Sequence, residues 1–123
     1  MDWDLSEKVI GAAIEVHREL GPGLLEKVYE DCFCWLLTEK GMAVKRQCHI
    51  PLVFHGLEFP SAFRLDVVVE NRLVVEVKAV EQLIRIHQSQ LLTYLKMAKL
   101  RTGLLINFNS SPLKAGIKRV VAS

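Results

Sequence analysis

Long apolar runs, a cysteine framework and a strong excess of charge are all missing from this sequence. No stretch approaches the roughly 20 apolar residues of a membrane-spanning helix, and residues 1–4 lack the basic and apolar parts of a signal peptide. The three cysteines are an odd number without framework spacing, so we expect free thiols in a reducing, cytoplasmic compartment. A zinc site is disfavoured, because Cys32 and Cys34 would point to different sides of a helix.

Charge and length set further bounds. Sixteen basic and 14 acidic residues give a formal net charge of +2, which permits a nucleic-acid partner without arguing for one. The chain of 123 residues is half hydrophobic, which is enough for one core. It contains no repeat, linker or low-complexity stretch. We therefore expect residues 1–123 to form a single domain.

Hydrophobic periodicity and turn residues predict the order α-α-β-β-β-α-β. Helices are expected at residues 4–20, 24–40 and 86–99, where apolar residues recur three or four positions apart. The second helix is expected to bury a stripe that contains Leu25, Val28 and Trp35.

Strands are expected at 43–54, at 57–66 with an interruption at Pro60-Ser61, around Glu76 and Lys78, and at 102–108. A short edge strand is expected at 117–121. The first three strands should be antiparallel, and the fourth should lie parallel to a neighbour through a crossover. These elements predict an α/β (α+β) fold, with a mixed sheet of four or five strands flanked by helices.

Three charged residues, Asp66, Glu76 and Lys78, lie inside valine-rich strands. Such strands are usually buried, and a charge placed there needs a partner, a metal or a wet cleft. Two carboxylates and an amine on neighbouring strands are the groups that a divalent metal and a phosphodiester require. These residues are therefore candidates for a catalytic site.

The length of the turn between the two strands decides whether the two acids meet. A two-residue turn would place Asp66 and Glu76 on different faces of the sheet. A three-residue turn at residues 70–72 pairs Val69 with Leu73 and puts Asp66 opposite Glu76. Loops of this length commonly contain a left-handed residue, which the asparagine in this turn tolerates. We therefore predict an odd-length loop or a bulge at this position.

These residues and two further motifs resemble a known family of nucleases. Asp66 followed by residues 76–78 (EVK) resembles the D…(D/E)-x-K signature of the PD-(D/E)XK nuclease superfamily. Residues 23–29 (GLLEKVY) match the motif of its GxxExxY branch, and Gln90 and Tyr94 match the Q-x-x-x-Y helix of that branch. The resemblance covers nearly the whole chain and implies a restriction-endonuclease-like core.

The resemblance implies a metal-dependent nuclease that hydrolyses phosphodiester bonds, in DNA rather than RNA. Asp66, Glu76 and the backbone carbonyl of Val77 would hold Mg²⁺ or Mn²⁺. Glu26 would complete the acidic cluster, through water or by holding a second ion. Lys78 would position or deprotonate the attacking water, or stabilise charge in the transition state, which is the safer role for a lysine among carboxylates.

Four further residues are candidates for binding substrate, although each has a simpler explanation. The resemblance places Gln90 and Tyr94 beside the cleft, yet a polar strip on a helix is usually only solvated. Tyr29 would contact substrate, orient Glu26 or simply pack. Arg64 would face phosphates or would be an exposed strand charge. For Glu26 itself, an acid in the first turn of a helix already suits the helix dipole.

Two other interpretations of the chain stay open. The domain could bind nucleic acid or protein without turnover. The three strand charges could also form a buried ion network, although such networks are rarely more stabilising than apolar residues. An exposed edge strand and a small, apolar-rich chain also make a homodimer plausible.

Overall fold

The computed structural model describes residues 3–123, which form three helices and a five-stranded sheet. The helices are α1 (Trp3–Leu20), α2 (Glu26–Glu39) and α3 (Arg85–Ala98). The strands are β1 (Val44–Phe54), β2 (Leu57–Val69), β3 (Leu73–Lys78), β4 (Thr102–Asn107) and β5 (Ile117–Val121), and a short 3₁₀ helix, Leu113–Gly116, precedes β5. The predicted order is confirmed. Residues 1 and 2, which the single-domain prediction includes, lie outside the described residues.

The sheet is mixed, in the order β1-β2-β3-β4-β5. Strands β1, β2 and β3 pair in antiparallel fashion, β3 and β4 are parallel, and β4 and β5 are antiparallel. This α+β arrangement is consistent with the restriction-endonuclease-like core that the sequence predicts. None of the helices within residues 3–123 is long and apolar enough to cross a membrane.

Helices cover both faces of the sheet. Helices α1 and α2 pack on one face, against a core that includes Val67, Val75 and Phe108. Helix α3 packs on the other face through Leu91 and Leu95. Strand β4 admits α3 closely because it carries Gly103, where a Cβ atom would lie 3.2 Å from both leucine side chains.

Helix α2 buries a different face from the predicted stripe. Its core residues are Tyr29, Phe33 and Leu37, spaced four apart, whereas Leu25 and Trp35 are exposed. Apolar residues follow helical spacing on two sides of this helix, so periodicity alone allowed either side to be chosen. The side that the fold buries carries Tyr29, whose ring stacks on Phe108 with the ring centroids 4.9 Å apart.

The turn between β2 and β3 has the predicted odd length. Val69 pairs with Leu73, which leaves the three residues 70–72 in the loop. Glu70 and Asn71 both have a positive φ, 54° and 55°. Contacts with Ala43 hold Glu70 in this conformation, since its N–H donates to the Ala43 carbonyl and its carboxylate accepts the Ala43 N–H at 3.0 Å.

Strands β2 and β3 separate after Val67 and Val75, the last pair of their ladder. At the same level the alternation of side chains between the two faces of β2 is interrupted. Residues two apart on a strand normally share a face, but Leu65 packs on the α3 side of the sheet and Val67 packs on the other side. Gln47, which lies between the β1 partners of those two residues, has a φ of +50°. The irregularity leaves Asp66 at the point where the strands part.

Candidate active site

Asp66 and Glu76 meet where β2 leaves β3. An Asp66 Oδ2 atom accepts the Val77 N–H at 3.0 Å, and a Glu76 Oε1 atom accepts the Asp66 N–H at 3.3 Å. The two carboxylates thus accept backbone N–H groups just beyond the end of the β2–β3 ladder. The three-residue turn and the parting of the strands together bring the two acids side by side.

Burial makes this pair electrostatically strained. Glu76 is only 6% exposed, and its burial, together with the neighbouring Asp66 carboxylate, raises the pKa of Glu76 to about 8. Burial also raises the pKa of Asp66, against the lowering effect of its hydrogen bonds with Val77 and Glu76. At neutral pH the two carboxylates therefore favour one proton between them.

Lys78 is the last residue of β3 and shares a strand face with Glu76. It is half-buried, and its positive charge lowers the pKa of Asp66 and of Glu76, in each case as a smaller effect than burial. The same charge is the largest influence opposing burial at Glu26. The positive charge of Lys78 therefore acts on all three acids.

Glu26 begins α2 and reaches the end of β3 from the other face of the sheet. Its carboxylate is close enough to Ala79, the residue after Lys78, for that backbone N–H to lower its pKa against the rise that burial causes. Burial raises the pKa of Glu26, Lys78 opposes the rise, and Asp66 and Glu30 add to it. Glu26, Asp66, Glu76 and Lys78 thus surround the carboxyl end of β3.

A partly exposed ion network next to this site, built on the buried Glu30, was not predicted. Glu30 is buried one helical turn after Glu26 and accepts hydrogen bonds from Arg46 at 2.8 Å and from Gln47 at 3.1 Å. Arg46 also pairs with Asp31, so its guanidinium is held by acids and not turned toward a phosphate. The spacing of Glu26 and Glu30 on one helix face was the signal available in the sequence.

Tyr29 requires a correction, because its side chain is fully buried. Its hydroxyl donates to the Gly21 carbonyl and accepts the Leu24 N–H at 3.0 Å. The predicted contact with substrate is therefore wrong, and the packing role is the one that the structure shows. Tyr29 ties down the loop that carries Glu26 into the site.

Gln90 and Tyr94 lie on α3, the helix that faces the two acids. The Tyr94 ring stacks on Phe63 at 4.3 Å between centroids, and burial followed by the charges of Glu76 and Asp66 raises its pKa. Gln90 is exposed one turn earlier on the helix, and Arg64 is exposed on β2, two residues before Asp66. Their contacts with substrate stay predictions.

Asn107 is a second residue that the sequence analysis missed. It is buried at the end of β4, and its side chain accepts the Val80 N–H at 3.0 Å and donates to the Val80 carbonyl at 2.9 Å. In the parallel ladder Asn107 is the partner of Lys78. It thereby fixes the chain directly after Lys78. A polar residue that ends an apolar strand was the only local signal.

The donors at this site fit a divalent cation held by two acids. Among residues 3–123, no group of three or more His, Cys, Asp or Glu side chains is assembled for a metal ion. Asp66 and Glu76 nevertheless provide the carboxylate oxygens that Mg²⁺ and Mn²⁺ prefer, and a cation would offset the burial and the repulsion by Asp66 that raise the pKa of Glu76. Mg²⁺ commonly keeps several waters, so two protein acids are a sufficient set.

Comparison with known proteins bears on the nature of this site. No match was found among curated proteins. Residues 3–120 match a family model described as PD-(D/E)XK nuclease superfamily, whereas the GxxExxY branch stays a prediction. Because the match covers almost the whole chain, the protein belongs to the PD-(D/E)XK nuclease superfamily.

Proposed function

We propose that the protein is a divalent-metal-dependent nuclease that hydrolyses phosphodiester bonds in DNA. Membership of the superfamily supports a nuclease and a nucleic-acid substrate. The observation that carries the proposal is the convergence of Asp66, Glu76 and Lys78 where β2 and β3 part. The three free thiols support a reducing, cytoplasmic compartment.

Asp66 and Glu76 would hold Mg²⁺ or Mn²⁺, with the Val77 carbonyl as a third ligand. When bound, the cation would polarise a phosphoryl oxygen and lower the pKa of a bound water. Before it binds, Glu76 must release the proton that its buried position favours. Glu26, whose carboxylate is influenced by Lys78 and Asp66, would contribute through a water molecule.

Lys78 would stabilise the charge that develops on the phosphoryl group. The positive charge of Lys78 acts on Asp66, Glu76 and Glu26, the three acids at the end of β3. A positioned positive charge acts strongly in a partly desolvated site. Asn107 supports this role by holding the chain that follows Lys78.

The test is cleavage of plasmid DNA, of a single-stranded DNA oligonucleotide and of an RNA of the same sequence, each with Mg²⁺, with Mn²⁺ and with EDTA. We expect metal-dependent cleavage that favours DNA and is lost in Lys78→Ala. Lys118→Ala, which removes an exposed lysine on β5, is the matched control and should retain activity. Calorimetric titration of Mn²⁺ should show binding to the wild type that Asp66→Ala loses.

A nucleic-acid-binding module without turnover is the second candidate. The observation that favours it is the burial of Glu76, which disfavours the charged form that a metal ligand needs. Wild-type protein that binds the DNA oligonucleotide but neither cleaves it nor binds Mn²⁺ would support this candidate and contradict the nuclease.

A further inference from the structure

The β1–β2 hairpin extends beyond the rest of the sheet. The β2–β3 ladder begins only at Val67, so the earlier part of β2 pairs with β1 alone. We call residues 50–63 the arm. Its register shifts between Ile50 and Leu52, where β2 contains extra residues around the predicted interruption at Pro60-Ser61. The outer part of the arm is a two-stranded hairpin with the turn at His55-Gly56.

One face of the arm carries a continuous apolar stripe. Leu52 pairs with Phe59 and Phe54 pairs with Leu57, and directly paired residues of a ladder lie on the same face. We call these four residues the stripe. Phe54, Leu57 and Phe59 are 61%, 58% and 41% exposed, although each is large and apolar. Contiguous exposed surface of this kind marks an interaction site in soluble proteins.

The charges of the arm disfavour a nucleic acid as the occupant of the stripe. Residues 50–63 contain neither lysine nor arginine, and these are the side chains that bind phosphates. The only acid is Glu58, which pairs with Val53 and therefore lies on the opposite face. The stripe itself has no charge that would select a partner of opposite sign.

We propose that the stripe is a homodimer interface, in which it packs against the same stripe of a second copy about a two-fold axis. A two-fold interface brings one surface against itself, so it must be self-complementary. A wholly apolar, uncharged stripe meets this requirement. Pairing two such stripes buries apolar side chains against apolar side chains and brings no charges of the same sign together. Burial of the exposed side chains drives the association.

The exposed area indicates a reversible dimer. Full burial of an aromatic side chain covers roughly 150–250 Å². Phe54 and Phe59, with 61% and 41% exposed, therefore leave about 200 Å² of side-chain surface on each copy. With Leu57 and Leu52, each copy contributes roughly 350 Å², so the paired stripes bury roughly 700 Å² in total, which is below the range of about 1,200–2,000 Å² for stable complexes and typical of a weak, transient contact. We therefore expect association that depends on protein concentration.

The interface also relates the two sites of the dimer. Asp66 follows the arm by three residues, so each site lies at the base of its own arm. Pairing of the two arms thus links two sites within one particle. This inference does not depend on the proposed nuclease activity, because it follows from the arm alone.

Sedimentation velocity over a range of protein concentrations, in EDTA and without nucleic acid, tests the interface. We expect wild-type protein to pass from monomer to dimer as its concentration rises. Phe54→Ser should weaken the dimer by at least about tenfold, as expected for an aromatic anchor. Leu57→Ser, from the other strand, should act in the same direction.

Val53→Ser is the matched control. Val53 is 63% exposed, close to the 61% of Phe54, and is the next residue in the chain, but it lies on the opposite face. It should leave dimerisation unchanged, and circular dichroism should show that all variants fold, because the substituted side chains are exposed. A wild type that stays monomeric, or equal weakening by Val53→Ser and Phe54→Ser, overturns the proposal. So does a monomer in which Phe54→Ser instead reduces affinity for a single-stranded oligonucleotide.

Discussion

Replacement of Glu76 by glutamine should stabilise the metal-free protein at alkaline pH. Burial and Asp66 raise the pKa of Glu76 from its ordinary value of 4.5 to about 8. The folded state therefore binds this proton more tightly than the unfolded state does. The contribution to stability is complete below pH 4.5, decreases as the pH rises, and is lost above about pH 8.

The size of the effect follows from the shift. Each pKa unit corresponds to about 1.4 kcal/mol, so a rise from 4.5 to about 8 gives a ceiling of about 5 kcal/mol. Glu76→Gln keeps an oxygen that can accept the Asp66 N–H, and its amide can donate to Asp66 without adding charge. We expect the two proteins to be similar in stability near pH 5 and Glu76→Gln to be the more stable at pH 8.

Urea denaturation in EDTA across this pH range measures the difference as a change in the midpoint. Glu81→Gln, which neutralises an exposed acid in the loop after β3, is the control and should show no such trend. Saturating Mn²⁺ should reverse the order at pH 8, because only the wild type retains both acidic ligands. A Glu76→Gln variant that is less stable than wild type at pH 8 in EDTA would refute the reasoning.

Two further substitutions test the residues that position the site. Tyr29→Phe leaves the Gly21 carbonyl and the Leu24 N–H without their hydroxyl partner, so it should lower the free energy of unfolding by about 1–3 kcal/mol in urea denaturation. An unchanged midpoint would contradict this role. Asn107→Ala removes both hydrogen bonds to Val80 and should lower kcat more than it weakens substrate binding, because the chain after Lys78 is no longer held. If Asn107→Ala reduces stability but leaves kcat at the wild-type value in the folded protein, Asn107 is structural only.

Much of the site could be predicted because its geometry depends on local rules. The alternation of strand side chains and the length of the turn decide whether Asp66 and Glu76 can meet, and the pairing of Val69 with Leu73 agrees with that reasoning. The polar asparagine in the turn supplied a residue that tolerates a positive φ. Helix boundaries likewise followed from apolar spacing and from glycines at helix ends.

The supporting contacts could not be predicted, because they join residues that are distant in the chain. Glu30 is hydrogen-bonded to Arg46, which is 16 positions away in the chain, and Asn107 is hydrogen-bonded to Val80, which is 27 positions away. Local spacing does not reveal such partners. The burial of Tyr29 depended on which side of α2 faced the sheet, and two sides carried apolar residues. The sequence therefore leaves substrate contact, orientation of Glu26 and packing open for Tyr29, and in the structure the side chain holds a loop.

The hydrogen bond that the Asp66 carboxylate accepts from the Val77 N–H gives Asp66 two roles. It accepts a backbone N–H of β3 beyond the last residue pair of the β2–β3 ladder, and it is also a candidate ligand. A relative that had lost hydrolysis would still be under pressure to keep this aspartate for its architecture. Retention of Asp66 alone is thus a poor guide to which relatives are active enzymes, and the lysine two residues after Glu76 should discriminate better.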